Sequence, residues 1–294
     1  SSDTAAGAPA LTVSTDPLDR IIPPKTLRRV DHYSRMAILA CHLALDNAGL
    51  QGGLPENSGL IVATGMGPTA NTLDTQSADV AAADLALSPI VFSNSVQNAA
   101  AAYISMFLKI RGPSLSINHY EMSVPLAFQT ALDWIEEERT ETVLVGSVDC
   151  FSQALHEAVL NCLHSNSEDR NRKTPPIGEG SVFFLLTRSK PQGCPTPFVQ
   201  SVYIGETGRL AAAPILKIPI LLNGHNAGTD FIRTVSAHAN FTHIYGTFPT
   251  SLAMDVAVAT LLMRKNELLR QVLPQFEADP AFQETPLLGC LKQG

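Results

Sequence analysis

The chain has 294 residues, 45% hydrophobic and 16% charged, with 20 Lys and Arg against 27 Asp and Glu and a formal charge of −7. That length and composition describe a globular protein, either one large domain or two ordinary ones, with a sizeable core. The acidic balance lacks the Lys and Arg excess that a phosphate backbone demands, so nucleic acid is excluded as an expected partner.

Five cysteines (Cys41, Cys150, Cys162, Cys194 and Cys290) are odd in number and widely spaced, with no CxxC pair. Neither a disulfide framework nor a zinc site is indicated, and a reducing cytoplasm fits this usage. No stretch approaches about 18 uninterrupted apolar residues, the length of a membrane span. The opening "SSDTAAGAPALTVSTDP" lacks the charged start and apolar run of a signal peptide. The expectation is a soluble, unexported protein with no membrane partner.

In chain order, "RRVDHYSRMAILACHLALDNAGL" places Met36, Leu39, Ala40, Leu43 and Ala44 at helical spacing, and Gly49 ends the run as a C-terminal cap. The run 59–65, "GLIVATG", is short, apolar and glycine-bounded, as a strand covered on both faces is. "SNSVQNAAAAYISMFLKIRGP" predicts a helix ended by Gly112 and Pro113, and "TETVLVGSVD" a second buried strand. Residues 180–188, "GSVFFLLTR", predict a strand, "PILKIPILLNG" another, and "SLAMDVAVATLLMRKNELLRQ" a helix capped by Thr250 or Ser251. This alternation implies an α/β protein with mostly parallel strands. The Pro and Gly density at 189–197 is the best internal boundary, giving halves of 1–190 and 191–294. The alanine-rich 78–86 reads as the continuation of a helix.

Several chemistry-bearing patterns are incomplete. "GLIVATGMGPTA" offers Gly65, Gly67 and Ala70 after a strand, but the following sequence lacks the second strand and terminal acid of a dinucleotide fingerprint. A tight strand-to-loop turn is the preferred reading. Ser147 lacks the glycine two places later that a serine elbow uses, and there is no HExxH, Walker loop or acidic calcium loop. His238 and His243 are not spaced for one helical face, and His156 beside Glu157 lacks a second histidine. No metal and no cofactor are expected. Arg170, Arg172 and Lys173, with Arg20, Lys25, Arg28 and Arg29, either steer an acidic partner by their local field or form solvated surface.

"GPSLSINHYEMSVPLAFQTALDW" reads as a turn, a strand and a helix with Glu121 at the bend. With its flanks it resembles the β-ketoacyl synthase family of the thiolase fold, in which a GP turn and a strand lead to a catalytic cysteine at a sharp elbow before a buried helix. Glu121 falls on the cysteine's position. "LRRVDHYSRMAILACHLALDNAGL", "FSNSVQNAAAAYISMFLKIRGP", "VLVGSVD" and "GEGSVFFLLTR" resemble the family's counterparts in order, and the resemblance spans about residues 20–188 well.

The resemblance implies a layered αβαβα fold, and a condensing enzyme of this family uses one cysteine and two histidines. "NGHNAGT" keeps His225, Gly228 and Thr229 at the spacing of the H-x-x-G-T motif. At the K-S-x-x-G-H motif the chain has "THIYGTFPTSLA": Gly246 survives, Thr242 replaces the lysine and Thr247 the histidine. The stretch between Gly180 and His225 is short for the family, and "ETPLLGCLKQG" lacks the GFGG turn, so a truncated second half is expected.

A cysteine at a helix N-terminus becomes a stabilised thiolate able to accept an acyl chain from a thioester. A carboxylate in the same field would form a mixed anhydride, with no advantage as a carrier. Glu121 is therefore read first as an anionic helix-end residue, with Ser123 as a helix cap and Pro125 in the first turn. Nucleophile-less members of this kind resemble chain-length factors, which complete a heterodimer with a ketosynthase subunit and shape its acyl tunnel. Their usual elbow residue is glutamine. The resemblance implies a ketosynthase and an acyl carrier protein as partners, with Arg170, Arg172 and Lys173 as carrier docking candidates. A catalytic alternative keeps Glu121 and His225 as a decarboxylase of malonyl carrier thioesters; a third is an acyl-binding scaffold homodimer.

Overall fold

The computed structural model describes residues 10–50, 52–69, 72, 89–154, 156–157, 176–189, 199, 202, 220–222, 238–239, 241–264 and 289–291. After a short helix α1 (Pro24–Leu27), α2 spans His32–Asn47. The Asp31 carboxylate caps its start, accepting the Ser34 N–H at 3.0 Å. Its end is closed by Gly49 at φ 72, whose N–H donates to the Asp46 carbonyl while that of Leu50 donates to Leu45. This paired closure needs a left-handed residue, which is why the glycine stops the helix there. Met36 and Leu39 are buried and Ala40 and Ala44 pack against them, whereas Leu43 faces outward, 57% exposed.

Strand β1 (Gly59–Thr64) is buried at every position and pairs in parallel with β2 (Ser114–Asn118) on one side and β3 (Thr142–Asp149) on the other. β4 (Gly180–Thr187) adds antiparallel to β3, giving the order β2-β1-β3-β4. A continuous apolar run makes sense once both faces are covered. Leu60 and Val62 pack with α2 and with α4 (Ala99–Leu108), while Ile61 and Ala63 pack with α5 (Ser123–Glu136) and the start of α7 (Leu252–Arg264). The period-2 alternation of the strand thus divides one run between two cores.

A second sheet holds β5 (Ile220–Leu222), β6 (His238–Ala239) and β7 (Gly289–Leu291), all parallel in the order β6-β5-β7. α7 lies against β4 of the first sheet and against β5 and β7 of the second. The result is the layered α/β arrangement expected of a thiolase-like chain.

Two sequence expectations need correction. The helix predicted through residues 93–111 is two helices, α3 (Pro89–Ser95) and α4, and α4 ends at Lys109 in the left-handed region (φ 55) rather than at Gly112. Gly112 serves a different purpose: a Cβ there would sit 2.4 Å from the Ser58 carbonyl oxygen and 2.7 Å from that of Asn57. Its neighbours are backbone, so the β1 and β2 entrances approach closely only with glycine. The alanine-rich 78–86 and, apart from Ser189, the predicted boundary at 189–197 lie outside the described residues.

Candidate functional site

The carboxyl ends of three parallel strands, Thr64, Asn118 and Asp149, meet at one edge of the first sheet. Such an edge is where open α/β sheets gather their ligands. From β2 the chain turns through His119, then Tyr120 at φ 49, and one tight turn at Tyr120–Met122 delivers it into α5. Glu121 sits at the middle of that turn, half-buried. An aromatic residue in the left-handed region costs about 1 kcal/mol or more, so the bend persists only because its surroundings hold it.

Ser123 supplies part of that hold. It is fully buried, its hydroxyl accepts the His119 N–H at 2.7 Å, and the same oxygen lies 2.7 Å from the Thr64 carbonyl and 2.8 Å from that of Tyr120. This differs from the capping role expected of it: Ser123 is the first helical residue, and its hydroxyl fastens the elbow to the end of β1 instead. Pro125 falls in the first turn as expected, where the missing N–H has no helical partner to lose.

Behind the elbow lies a residue that sequence reasoning passed over. Asp149 is buried at the end of β3, and its carboxylate accepts from the Thr64 hydroxyl (2.9 Å), the N–H groups of Gly65 (3.0 Å) and Met66 (3.2 Å), and both the N–H (3.0 Å) and hydroxyl (2.8 Å) of Thr250. Burial pushes its carboxyl up from the usual range, although these hydrogen bonds pull the other way. Thr64 in turn accepts the Gly67 N–H at 2.8 Å, and Gly67 has φ 65. Residues 64–67 are therefore the tight strand-to-loop turn expected, and the amides of Gly65 and Met66 that a pyrophosphate would require are already directed at a carboxylate. The Thr250 hydroxyl is likewise directed at Asp149, so the predicted cap of α7 is not formed by that residue.

The loop carrying Thr247 reaches this edge from the C-terminal side. It follows α6 (Thr242–Tyr245), in which Thr242 is buried. The Thr247 N–H donates to the Pro176 carbonyl at 2.9 Å and its hydroxyl to the same oxygen at 3.3 Å. Gly246 has φ 77, and a Cβ on it would lie 2.6 Å from the Gly178 nitrogen. That contact with backbone explains why residue 246 is a glycine. Pro249 packs directly on Gly65, where a Cβ would come within 2.0 Å of the proline Cβ. The elbow, the 64–67 turn, Asp149 and the 246–250 loop thus form one connected cluster.

His225, Arg170, Arg172 and Lys173 lie outside the described residues, while Arg20, Lys25, Arg28 and Arg29 are exposed near the start. Ser147 is buried within β3, and Cys41 and Cys150 are free thiols. Among the described residues no group of His, Cys, Asp and Glu is arranged to hold a metal, and no helix is long and apolar enough to cross a membrane.

A layered α/β fold with a strand-turn-helix elbow at the carboxyl ends of its parallel strands defines a thiolase-like protein. The N-terminal domain model of the beta-ketoacyl synthases matches residues 7–190, and the chain belongs to that family. Among curated proteins no sequence matches it. It is similar in fold to the ishigamide ketosynthase/chain length factor, with a TM-score of 0.53 and 22% identity, covering 62% of this chain and 50% of the other. The chain thus spans half the length of that relative. A type II PKS acyl-carrier protein complex with its ketosynthase bound to the hexaketide gives a TM-score of 0.68 at 18% identity over 90% of this chain and 83% of the other. A beta-ketoacyl synthase from Burkholderia phymatum STM815 gives 0.62 at 16% identity, covering 83% and 72%.

Proposed function

We propose that the chain is a chain-length-factor-like subunit that pairs with a ketosynthase in acyl carrier protein-dependent polyketide or fatty-acid synthesis and does not itself condense. The observation that carries this reading is the carboxylate of Glu121 at the elbow where the family places its thiol. A thiolate stores an acyl chain as a thioester, whereas a carboxylate would store it as an anhydride open to hydrolysis. Thr247, at the second histidine's position, supports the same conclusion, because its hydroxyl is directed at Pro176 and has no titratable nitrogen to offer an enolate.

The surface supports a partner chain. Among the described residues β2 has a strand on one side only, with Leu115 39% exposed, and α3 and α4 present Phe92 (64%) and Met106 (59%) to solvent. Unpaired sheet edges and large exposed apolar side chains are what an interface covers. Residues 1–190 and 191–294 are read as two halves of one unit, supported by Thr250 on Asp149 and by the bridge between Ile177 and Thr247. Docking of the carrier protein at Arg170, Arg172 and Lys173 rests on charge, and a cytoplasmic location rests on cysteine usage.

Co-expression with a cysteine-bearing ketosynthase should give a stable heterodimer by size exclusion, and the purified chain given malonyl carrier protein should release no more carbon dioxide than Glu121→Ala. Release that disappears in Glu121→Ala would replace this reading with a decarboxylase using Glu121 and His225. A homodimer that ignores the ketosynthase would make it an acyl-binding scaffold.

A further inference from the structure

At the opposite side of the 176–179 strip from Thr247, Glu179 is 5% exposed and yet gathers three separate parts of the chain. One oxygen accepts the Val13 N–H at 2.9 Å and lies 2.8 Å from Nε2 of His32, and the other accepts the Phe151 N–H at 2.9 Å. The strip itself is bonded to residue 11 on one edge, through Leu11 N–H to the Ile177 carbonyl and Glu179 N–H to that of Leu11. On its other edge it is bonded to the 246–250 loop, with the Gly178 N–H on the Thr247 carbonyl. Only one member of the Glu179 cluster is titratable and open to water: the His32 side chain is 42% exposed.

We propose that His32 and Glu179 form a pH-sensitive clasp that fastens the 11–13 segment and the 176–179 strip to the fold, tight when His32 is protonated and slack when it is neutral. A charged imidazole on a carboxylate is a stronger hydrogen bond than a neutral one, and among the described residues His32 is the cation paired with Glu179. Among the described residues the charged groups acting on His32 are Glu179 and the helix-capping Asp31, which favour the protonated ring, and Arg35, bonded to the Leu27 and Val30 carbonyls, which opposes it.

The direction of the pH dependence follows. The hydrogen bond to Glu179 raises His32 above its ordinary 6.5, against the pull of burial. Its contribution is complete below 6.5 and is lost as pH rises through the higher folded value. For Glu179, burial pushes upward, but the bonds from His32, Val13 and Phe151 outweigh it and hold the carboxyl below 4.5. That contribution is complete above 4.5 and is lost as pH falls through the lower folded value. The clasp is therefore fully closed between 4.5 and 6.5.

Amide hydrogen exchange on the full chain, corrected for intrinsic rates, tests this without reference to any partner or acyl substrate. Protection of the Val13 and Phe151 amides should fall about fivefold between pH 6 and pH 9, the difference between a charged and a neutral partner. His32→Gln should show the lower protection at both pH values, and His32→Arg the higher at both. Flat wild-type protection across that range, or a wild-type pH dependence retained in His32→Gln, would overturn the proposal.

Discussion

Asp149→Ala is expected to lower the unfolding free energy by about 3 kcal/mol, the upper end of the range for leaving buried donors without their acceptor. Five donors converge on this carboxylate, three of them backbone amides that have turned away from regular pairing to reach it. Alanine would leave all of them buried without an acceptor. Asn is a poor substitute, since its amide group would bring a sixth donor into a site of donors. Because burial raises the Asp149 carboxyl, the wild-type protein gives up stability as pH climbs from 3.8 through the folded value, and Asp149→Asn lacks that slope. Urea unfolding at several pH values should therefore show the gap between the two proteins narrowing as pH rises through that range.

Gly178→Ala should cost about 3 kcal/mol, at the upper end for forced overpacking. The added Cβ would lie 2.1 Å from the Tyr245 carbonyl oxygen and 3.1 Å from the Gly246 Cα. Both obstacles are backbone, so no side chain can rotate out of the way. The loop 245–250 has to retreat, and with it the bonds of Thr247 to Pro176 and of Thr250 to Asp149. This predicts coupling: a double mutant with Asp149→Ala should lose clearly less than the sum of the two single changes, because the first has already released what the second removes. Strict additivity in urea unfolding would mean that the 176–179 strip and the 245–250 loop do not act on Asp149 through this contact.

The sheet and its helices were legible because their signals are local. The 59–65 run was apolar enough to require cover on both faces, and Gly49 marked the end of α2 by the one conformation that such a closure needs. The elbow was also legible, since the order GP, strand, Glu121, helix fixes a bend whatever lies around it. What could not be seen was anything set by a partner distant in sequence. Asp149 is one acid ending a buried strand in "VGSVDC", and nothing nearby says that Thr64, 85 residues earlier, and Thr250, 101 residues later, will point at it. The same reason hid the roles of the Ser123 hydroxyl, read as a cap, and of the Thr250 hydroxyl, one of two caps offered with Ser251: a tertiary acceptor took each of them. Lys109 closing α4 in place of Gly112 shows the converse, a glycine kept for close approach rather than for its turn.

The central claim is that the elbow carries an acid that cannot hold a transferable chain. Intact-protein mass spectrometry of the chain mixed with a cysteine-bearing ketosynthase, sampled during incubation with acyl carrier protein bearing a substrate chain, tests this most directly. The expected result is an adduct on the ketosynthase cysteine and none on Glu121; an acyl group that appears on Glu121 and discharges at the rate of turnover would contradict it.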